Sequence, residues 1–288
     1  MALPTFFIIG AAKAGTTSLH YYLDQHPQIQ MSAAKEPNFF SGPENGIPYP
    51  IRRIGRLEDY EQLFDPTVQE RGEASVGYTH HPRRQGVPER IKELVPEAKF
   101  IYLVRDPIAR SISQYQHRVA YEGERNSLQE VLGDIWDPYS PCVCPSLYAS
   151  QLDLYLRHFP EERLLVVDHA DLLADRRAAL CEIFAFLSVD DTVDSARFDD
   201  ELNTSSTHRL FPARYARLRG PAAVPAPLRR LPPGVRRSIR RSVERVLWPP
   251  LETATLTDEQ RVQLQERYAD EVERLRALTG KAFPTWSV

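Results

Sequence analysis

Residues 5–18, TFFIIGAAKAGTTS, join a short apolar run to a loop of small residues and then to the start of a helix. The apolar run predicts a buried strand that ends at Gly10, and Leu19, Tyr22 and Leu23 lie on one face of the helix predicted to follow. Where a strand meets a helix in this way, loop N–H groups and the positive end of the helix dipole can receive a phosphate. The stretch therefore predicts a phosphate-binding loop at the carboxyl end of a strand.

The position of the lysine distinguishes this loop from an ATP-binding loop. A Walker A loop has its lysine directly after the second glycine, but here that position is Thr16 and the lysine is Lys13, inside the loop. The small residues around Lys13 let an anion approach the backbone closely. The sequence therefore predicts an anion site of a different kind from that of the ordinary ATPases.

The chain continues as an alternation of predicted strands and helices. Short apolar runs predict strands at 29–31, 99–104 (KFIYLV) and 164–167, and helical spacing predicts helices from residue 108, over 147–158 and over 178–187. Continuous apolar runs are typical of parallel strands that are covered on both faces. We therefore predict an α/β fold, with a central parallel sheet flanked by helices in a single domain over residues 1–288.

The region 209–250 has a different composition from the rest of the chain. From Arg209 to Arg245 there are eleven arginines and one acidic residue, Glu244, and prolines cluster there. We expect a lid or loop layer within the domain, and its charge fits either a solvated surface or contact with an anionic partner.

A final helix is predicted after this region. Thr257 and Gln260 match the capping-box pattern, apolar residues then keep helical spacing, and Gly280 supplies a stop.

Composition narrows the class of protein. The chain has 288 residues, 42% of them hydrophobic, so one large core is possible. Its net charge of −3 conceals the local excess of arginine and decides nothing about anionic partners; we expect no nucleic-acid partner. The apolar residues 6–9 are too short for a signal-peptide core, and no apolar stretch is long enough to span a membrane. Three cysteines, Cys142, Cys144 and Cys181, fit neither zinc spacing nor a CxxC pair. We expect free thiols, no metal and a cytoplasmic setting, and the excess of arginine over lysine suggests a bacterial source.

Two motifs together resemble the PAPS-dependent sulfotransferases, closest to the glycosaminoglycan-type (heparan sulfate) and bacterial members. Residues 13–17 (KAGTT) match the family's 5′-phosphosulfate loop, and residues 104–115 (VRDPIARSISQY) match its 3′-phosphate element. The resemblance implies the P-loop-like sulfotransferase fold, 3′-phosphoadenylyl sulfate (PAPS) as sulfuryl donor and 3′,5′-adenosine bisphosphate (PAP) as product. The implied cofactor-binding residues are Lys13, Ala14, Gly15, Thr16, Thr17, Ser18, Arg105, Ser113 and Arg209.

The segment 35–40 (KEPNFF) carries the catalytic assignment. In the glycosaminoglycan-type enzymes the glutamate before the paired phenylalanines is the base, and Glu36 matches it. The resemblance implies Glu36 as base, with Lys13 and Lys35 as catalytic cations, and an apolar wall from the two phenylalanines would raise the pKa of the carboxyl. A salt bridge between Glu36 and Lys35 or a nearby arginine is the structural alternative. His80 or His81 is the rival base, because a histidine serves the cytosolic branch of the family.

The segment 72–78 (GEASVGY) resembles the family's Glu-Lys-Ser-Pro-x-Tyr stretch beside the acceptor. Ala74 stands where those enzymes often have a lysine, so a cation expected beside the acceptor is missing. We therefore expect a hydroxyl or amine of a small-molecule, natural-product or carbohydrate acceptor. The expected acceptor-binding residues are Phe40, Glu73, Ser75, Tyr78 and His80.

Two other classes of function stay open from the residues alone. A P-loop kinase or NTPase would need a lysine at Thr16 and an acidic residue that holds Mg²⁺. A docking protein for nucleic acid or an acidic partner would use the arginine-rich region 209–250 on a nucleotide-binding scaffold.

Overall fold

The computed structural model describes residues 2–42, 53–200 and 254–288. Its centre is a five-stranded sheet in the order β2-β3-β1-β4-β5, in which every neighbouring pair is parallel. The strands are β1 Phe6–Gly10, β2 Ile29–Met31, β3 Glu70–Ala74, β4 Lys99–Val104 and β5 Leu164–Asp168. The predicted parallel α/β sheet is confirmed.

The two apolar strands at the middle of the sheet hold the core together. All five residues of β1 are buried, and β4 is buried from Phe100 onward. The rings of Phe7 and Phe100 stack across the β1–β4 pair with centroids 5.8 Å apart. Helices cover both faces of such a sheet, so the strands can be apolar at successive positions.

Nine helices are present in the described residues. They are α1 Thr16–Leu23, α2 Leu57–Glu61, α3 Val87–Leu94, α4 Pro107–His117, α5 Leu128–Val131, α6 Tyr148–Leu156, α7 His169–Ala174, α8 Arg176–Leu187 and α9 Asp258–Thr279. Helix α4 begins where a proline follows β4, and the Asp106 carboxylate caps it by accepting from the Ala109 N–H at 2.6 Å. A π-helical turn, Arg118–Glu122, continues α4.

The last helix forms as predicted, with its capping box at Thr257 and Gln260 and a left-handed Gly280 at its end. It packs on the helices that follow β4 and precede β5. The hydroxyls of Tyr268 on α9 and Ser111 on α4 are 2.8 Å apart, and Glu271 accepts from the Ser150 N–H on α6 at 2.9 Å. Residues near the end of the chain are thereby tied to the helices that follow the central strands.

Several elements were not predicted as regular structure. Strand β3 has the sequence ERGEA, and its polar composition hides a strand whose last three residues are buried. Short helices such as α2 and α7 have too few residues for helical spacing to show. The predicted lid, residues 209–250, lies outside the described residues.

The three thiols are free, as expected: Cys142 and Cys144 are buried and Cys181 is exposed. Within residues 2–42, 53–200 and 254–288 no helix combines the length and the apolar character that crossing a bilayer requires.

Close packing of β3 gives a test of the sheet. A Cβ on Gly72 would overlap the Phe6 ring and lie 2.5 Å from the Met31 sulfur, so Gly72→Ala should lower the free energy of unfolding by about 1–3 kcal/mol. Gly55→Ala is the matched control, because a Cβ there meets nothing within 4 Å. Urea unfolding of both variants measures the effect, and equal stability of the two would contradict this packing.

Candidate active site

The loop between β1 and α1 lies at the carboxyl edge of the sheet, as the sequence predicts. Lys13 has φ 71° and Gly15 has φ 96°, so both adopt the left-handed conformation. A Cβ on Gly15 would also lie 3.0 Å from the His169 ring. Glycine is therefore required at this position by both its backbone and its neighbour. Helix α1 begins at Thr16, directly after the loop.

Lys13 occupies an unusually cationic environment. Burial, together with the charges of Arg105, Arg110 and Lys35, lowers the pKa of its ammonium from 10.5 to about 8, and Glu122 acts in the opposite direction. Like charges gathered in a partly desolvated place repel one another unless an anion joins them. This arrangement has the properties of an anion-binding site.

Arg105, which was predicted to bind the 3′-phosphate, contacts the loop that was predicted to bind the 5′-phosphosulfate. Its Nη1 donates to the Lys13 carbonyl oxygen at 3.3 Å, so the end of β4 and the loop after β1 meet. The Tyr148 hydroxyl donates to the Arg105 carbonyl oxygen at 2.7 Å and fixes the backbone there. Ser113 is buried two turns into α4. The structure thus brings together the loop and the arginine that the sequence assigned to two phosphates.

Arg110 is a residue of this region for which the sequence predicted no role. Its side chain is completely buried, and it donates to the Ala12 carbonyl at 3.4 Å and also to the Cys142 carbonyl and the Ser146 hydroxyl. It therefore links α4 to the lysine-bearing loop. Its place one turn before Ser113 was the available sequence signal, but only the fold shows the contact with Ala12.

Two histidines next to the loop were also missed. Burial and the charge of Arg105 together lower the pKa of His169 to about 4. Burial and the charge of Lys35 lower the pKa of His20 on α1 to about 4 as well. Both imidazoles are neutral at physiological pH, so the positive charge near the loop comes from lysine and arginine.

The candidate base Glu36 sits in a loop that follows β2. It has φ 59°, and its N–H donates to the Ala74 carbonyl at the end of β3 at 2.9 Å. Lys35 Nζ lies 2.8 Å from Glu36 Oε1, and the two side chains are 25% and 41% exposed. The salt bridge considered as an alternative is therefore present. Because Lys35 also acts on the pKa of Lys13, Glu36 is near the cationic loop as well.

Four of the five expected acceptor-binding residues are buried: Phe40, Glu73, Ser75 and Tyr78. The expected apolar wall around Glu36 is corrected. The Phe40 ring instead packs edge-on against Phe7 at 5.6 Å, because it fills the aromatic core beneath the loop. The Phe39 ring stacks on Tyr60 with centroids 4.3 Å apart. Contact of these residues with an acceptor stays a prediction.

The fifth expected acceptor residue, His80, follows the turn Val76–Thr79. Its Nε2 is buried and has no hydrogen-bond partner among the described residues, and burial lowers the pKa of the ring well below its usual range. Arg209 lies outside the described residues. Within the described ranges no three metal-binding side chains come together.

Comparison with known families agrees with this geometry. The family model described as "Sulfotransferase domain" matches residues 3–212. The chain therefore belongs to the sulfotransferase domain family.

Several individual sulfotransferases are similar to this chain. Human bifunctional heparan sulfate N-deacetylase/N-sulfotransferase 3 is 32% identical over 204 residues, which are 65% of this chain and 22% of that protein. Mouse heparan sulfate glucosamine 3-O-sulfotransferase 3A1 is 27% identical, over 68% of this chain and 48% of that protein. This chain thus spans less than half the length of these relatives. A crystal structure of a sulfotransferase from Alicyclobacillus acidocaldarius is 26% identical, with a TM-score of 0.71 and full coverage of both chains.

The charge cluster predicts how Lys13 titrates. Competitive acetylation across pH, read by mass spectrometry, should give half-maximal reactivity of Lys13 near pH 8. Arg105→Met removes a cation that lowers this pKa, so the midpoint should move upward toward 10.5. Arg56→Met, at an exposed arginine that does not act on Lys13, is the control. An unchanged midpoint in Arg105→Met would refute the electrostatic coupling.

Proposed function

We propose that this protein transfers a sulfuryl group from PAPS to a hydroxyl or amine of an acceptor. The observation that carries the proposal is the convergence of Arg105, Arg110 and Lys35 on Lys13 in the loop between β1 and α1. Membership of the sulfotransferase domain family supports the same chemistry.

The sulfuryl donor is inferred from two groups of residues that could each bind a phosphate. The loop at Lys13 would hold the 5′-phosphosulfate through its N–H groups, its ammonium and the start of α1. Arg105, with Ser113 two turns into α4, would hold the 3′-phosphate, since a guanidinium can fork two phosphate oxygens. The contact of Arg105 with the Lys13 carbonyl supports this assignment, because a doubly phosphorylated nucleotide requires its two binding groups to lie close together. Arg209 would join them by resemblance to the family.

The chemistry assigns a separate task to each charged side chain. Glu36 takes the proton of the acceptor while the acceptor oxygen or nitrogen forms a bond to sulfur. The bond between sulfur and the bridging oxygen breaks, and its electron pair stays on the 5′-phosphate of PAP. Lys13 stabilises the charge that develops on that oxygen, and Lys35 orients the Glu36 carboxylate.

The class of acceptor is inferred from the names of two relatives and from one residue of the sequence. The two heparan sulfate relatives act, by their names, on a carbohydrate polymer. Ala74 leaves this chain without a lysine that such enzymes often have beside the acceptor. We therefore propose a carbohydrate or other small-molecule acceptor.

Binding of the donor nucleotide can be tested without an acceptor. Calorimetric titration should show tight binding of PAP, weaker binding of 5′-AMP and weak binding of ATP-Mg²⁺. Arg105→Ala should weaken PAP by about 10- to 100-fold through the loss of charge-assisted hydrogen bonds, whereas Arg56→Ala should leave it unchanged. Preference for ATP-Mg²⁺ would support the NTPase alternative, and equal affinity of Arg105→Ala would refute the 3′-phosphate assignment.

The role of Glu36 is tested by Glu36→Gln, which removes the base but keeps the size of the side chain. Turnover, measured as PAP release from PAPS with water and with hydroxyl and amine acceptors from a screen, should fall by about 10²- to 10⁴-fold. PAP affinity should stay as in the parent protein, because the amide does not contact the nucleotide. Glu58→Gln, at an exposed carboxylate, is the matched control. Undiminished turnover in Glu36→Gln would move the assignment to His80 or His81.

A further inference from the structure

Glu73 is a buried carboxyl group that the proposed chemistry does not use. It lies near the end of β3, it has no exposed surface, and no lysine or arginine of the described residues pairs with it. Its partners are hydroxyls: Ser75 donates to Oε1 at 2.5 Å, Tyr60 donates to Oε2, and Tyr78 is hydrogen-bonded to it as well. Burial of a carboxylate without a cation is costly and calls for an explanation.

Two of these hydroxyls connect Glu73 to the loop that carries the candidate base. The Asn38 N–H donates to Ser75 Oγ at 3.1 Å, and the Phe40 N–H donates to the Tyr78 hydroxyl oxygen at 3.2 Å. Asn38 has φ 54°, a left-handed conformation that asparagine tolerates better than most residues other than glycine. The loop is thus supported from the end of β3 and from the turn that follows it.

The balance of hydrogen-bond donors and acceptors around Glu73 depends on whether its carboxyl group is ionised. As a carboxylate it accepts from the three hydroxyls, and the oxygens of Ser75 and Tyr78 stay available to the loop N–H groups. Protonation adds a hydrogen to a site that is already supplied with donors, so one hydroxyl must turn toward another acceptor. When the hydroxyl that turns is that of Ser75 or Tyr78, its contact with the loop N–H group is weakened.

We propose that Glu73 is a positioning residue whose ionised form fixes the loop of residues 36–40, and so the candidate base, through the hydroxyls of Ser75 and Tyr78. The inference rests on the proposed function for the importance of Glu36. The link between Glu73 and the loop is independent of it.

The charge of Glu73 can change near neutral pH. Burial raises the pKa of its carboxyl to about 7, and the hydrogen bonds from the three hydroxyls hold it lower than burial alone would. The loop should therefore be fixed above about pH 7 and released below it.

The other groups around the network do not change charge in this range. The pKa values of Tyr60 on α2, Tyr78 in the turn after β3 and Tyr155 on α6 are raised well above 10 by burial. Burial keeps the pKa of His80 well below its usual range. Arg84, which donates to the Asn38 side chain at 3.2 Å, and Arg90, which donates to the Phe40 carbonyl at 2.8 Å, stay charged.

Amide resonances of Asn38 and Phe40 report the coupling directly, without any ligand. Followed by NMR from about pH 5.5 to about pH 8.5, both should titrate with a midpoint near 7 in the parent protein. Glu73→Gln, which has the size of the protonated acid, should abolish the titration and leave both resonances at their low-pH positions. Tyr60→Phe removes a hydroxyl that donates to Glu73 and keeps the ring that stacks on Phe39, so it should raise the midpoint.

Two variants test separately the hydrogen bond between Ser75 and Asn38 and the one between Tyr78 and Phe40. Ser75→Ala should speed hydrogen exchange of the Asn38 amide by about tenfold with less effect on Phe40, and Tyr78→Phe should do the reverse. These measurements do not need Glu73→Gln to fold. Amides that do not titrate in the parent protein, or that still titrate in a folded Glu73→Gln, would overturn the proposal.

A further readout joins the network to turnover. Consumption of PAPS with water as acceptor should show a dependence on a group with a midpoint near 7 in the parent protein, and Tyr60→Phe should shift it upward. PAP affinity should be the same in all of these variants. Loss of PAP binding by the parent protein would count against the proposed function and not against the coupling of Glu73 to the loop, which the amide resonances test separately.

Discussion

Burial of several cations together at the carboxyl edge of the sheet is the constraint on which the site depends. The pKa of the Lys13 ammonium is about 8 against an ordinary 10.5, a difference that corresponds to roughly 3 kcal/mol; burial is its largest cause, and the charges of Arg105, Arg110 and Lys35 contribute the rest. That free energy opposes folding at neutral pH, where the group is charged, and it vanishes above pH 10.5, where the lysine is neutral in both states. An anionic ligand would offset it, because a negative charge stabilises the ammonium in the same partly desolvated place.

The fold holds the two arginines in place through the backbone or through neutral acceptors. Arg110 is held by carbonyl oxygens and a hydroxyl, with no carboxylate partner among the described residues, and the backbone of Arg105 is fixed by Tyr148. Neutral acceptors stabilise a guanidinium without cancelling its charge. The site therefore keeps a positive field that an internal salt bridge to either arginine would have weakened.

The parts of the fold that could be predicted from sequence are those that local patterns determine. The apolar runs of β1 and β4, the loop at Lys13 and the caps of α9 depend on neighbouring residues. Strand β3 could not be predicted, because its sequence is polar and only pairing with β1 and β2, far away in the sequence, makes it a strand. The inward turn of Phe40 and the role of Glu73 likewise depend on hydrogen bonds between residues more than thirty positions apart. The sequence could suggest which residues belong to the site, but not which of them face an acceptor and which support the loop from below.

The contacts of α9 and the residues after it have a consequence for biosynthesis. Asp106 caps α4 with one carboxylate oxygen and accepts from Ser287 with the other, while Trp286 donates to Asp168 at the end of β5. The loop at Lys13, Arg105 and helix α4 belong to the first 117 positions. The residues that contact α4 and the end of β5 from the last helix and beyond it lie at positions 268–287. A nascent chain emerges from its amino end, so the scaffold of this cationic site is completed only after residues 268–287 have left the ribosome. Until then the cationic loop lacks part of its scaffold. An anion that binds to the nascent chain therefore cannot make all the contacts of the folded site.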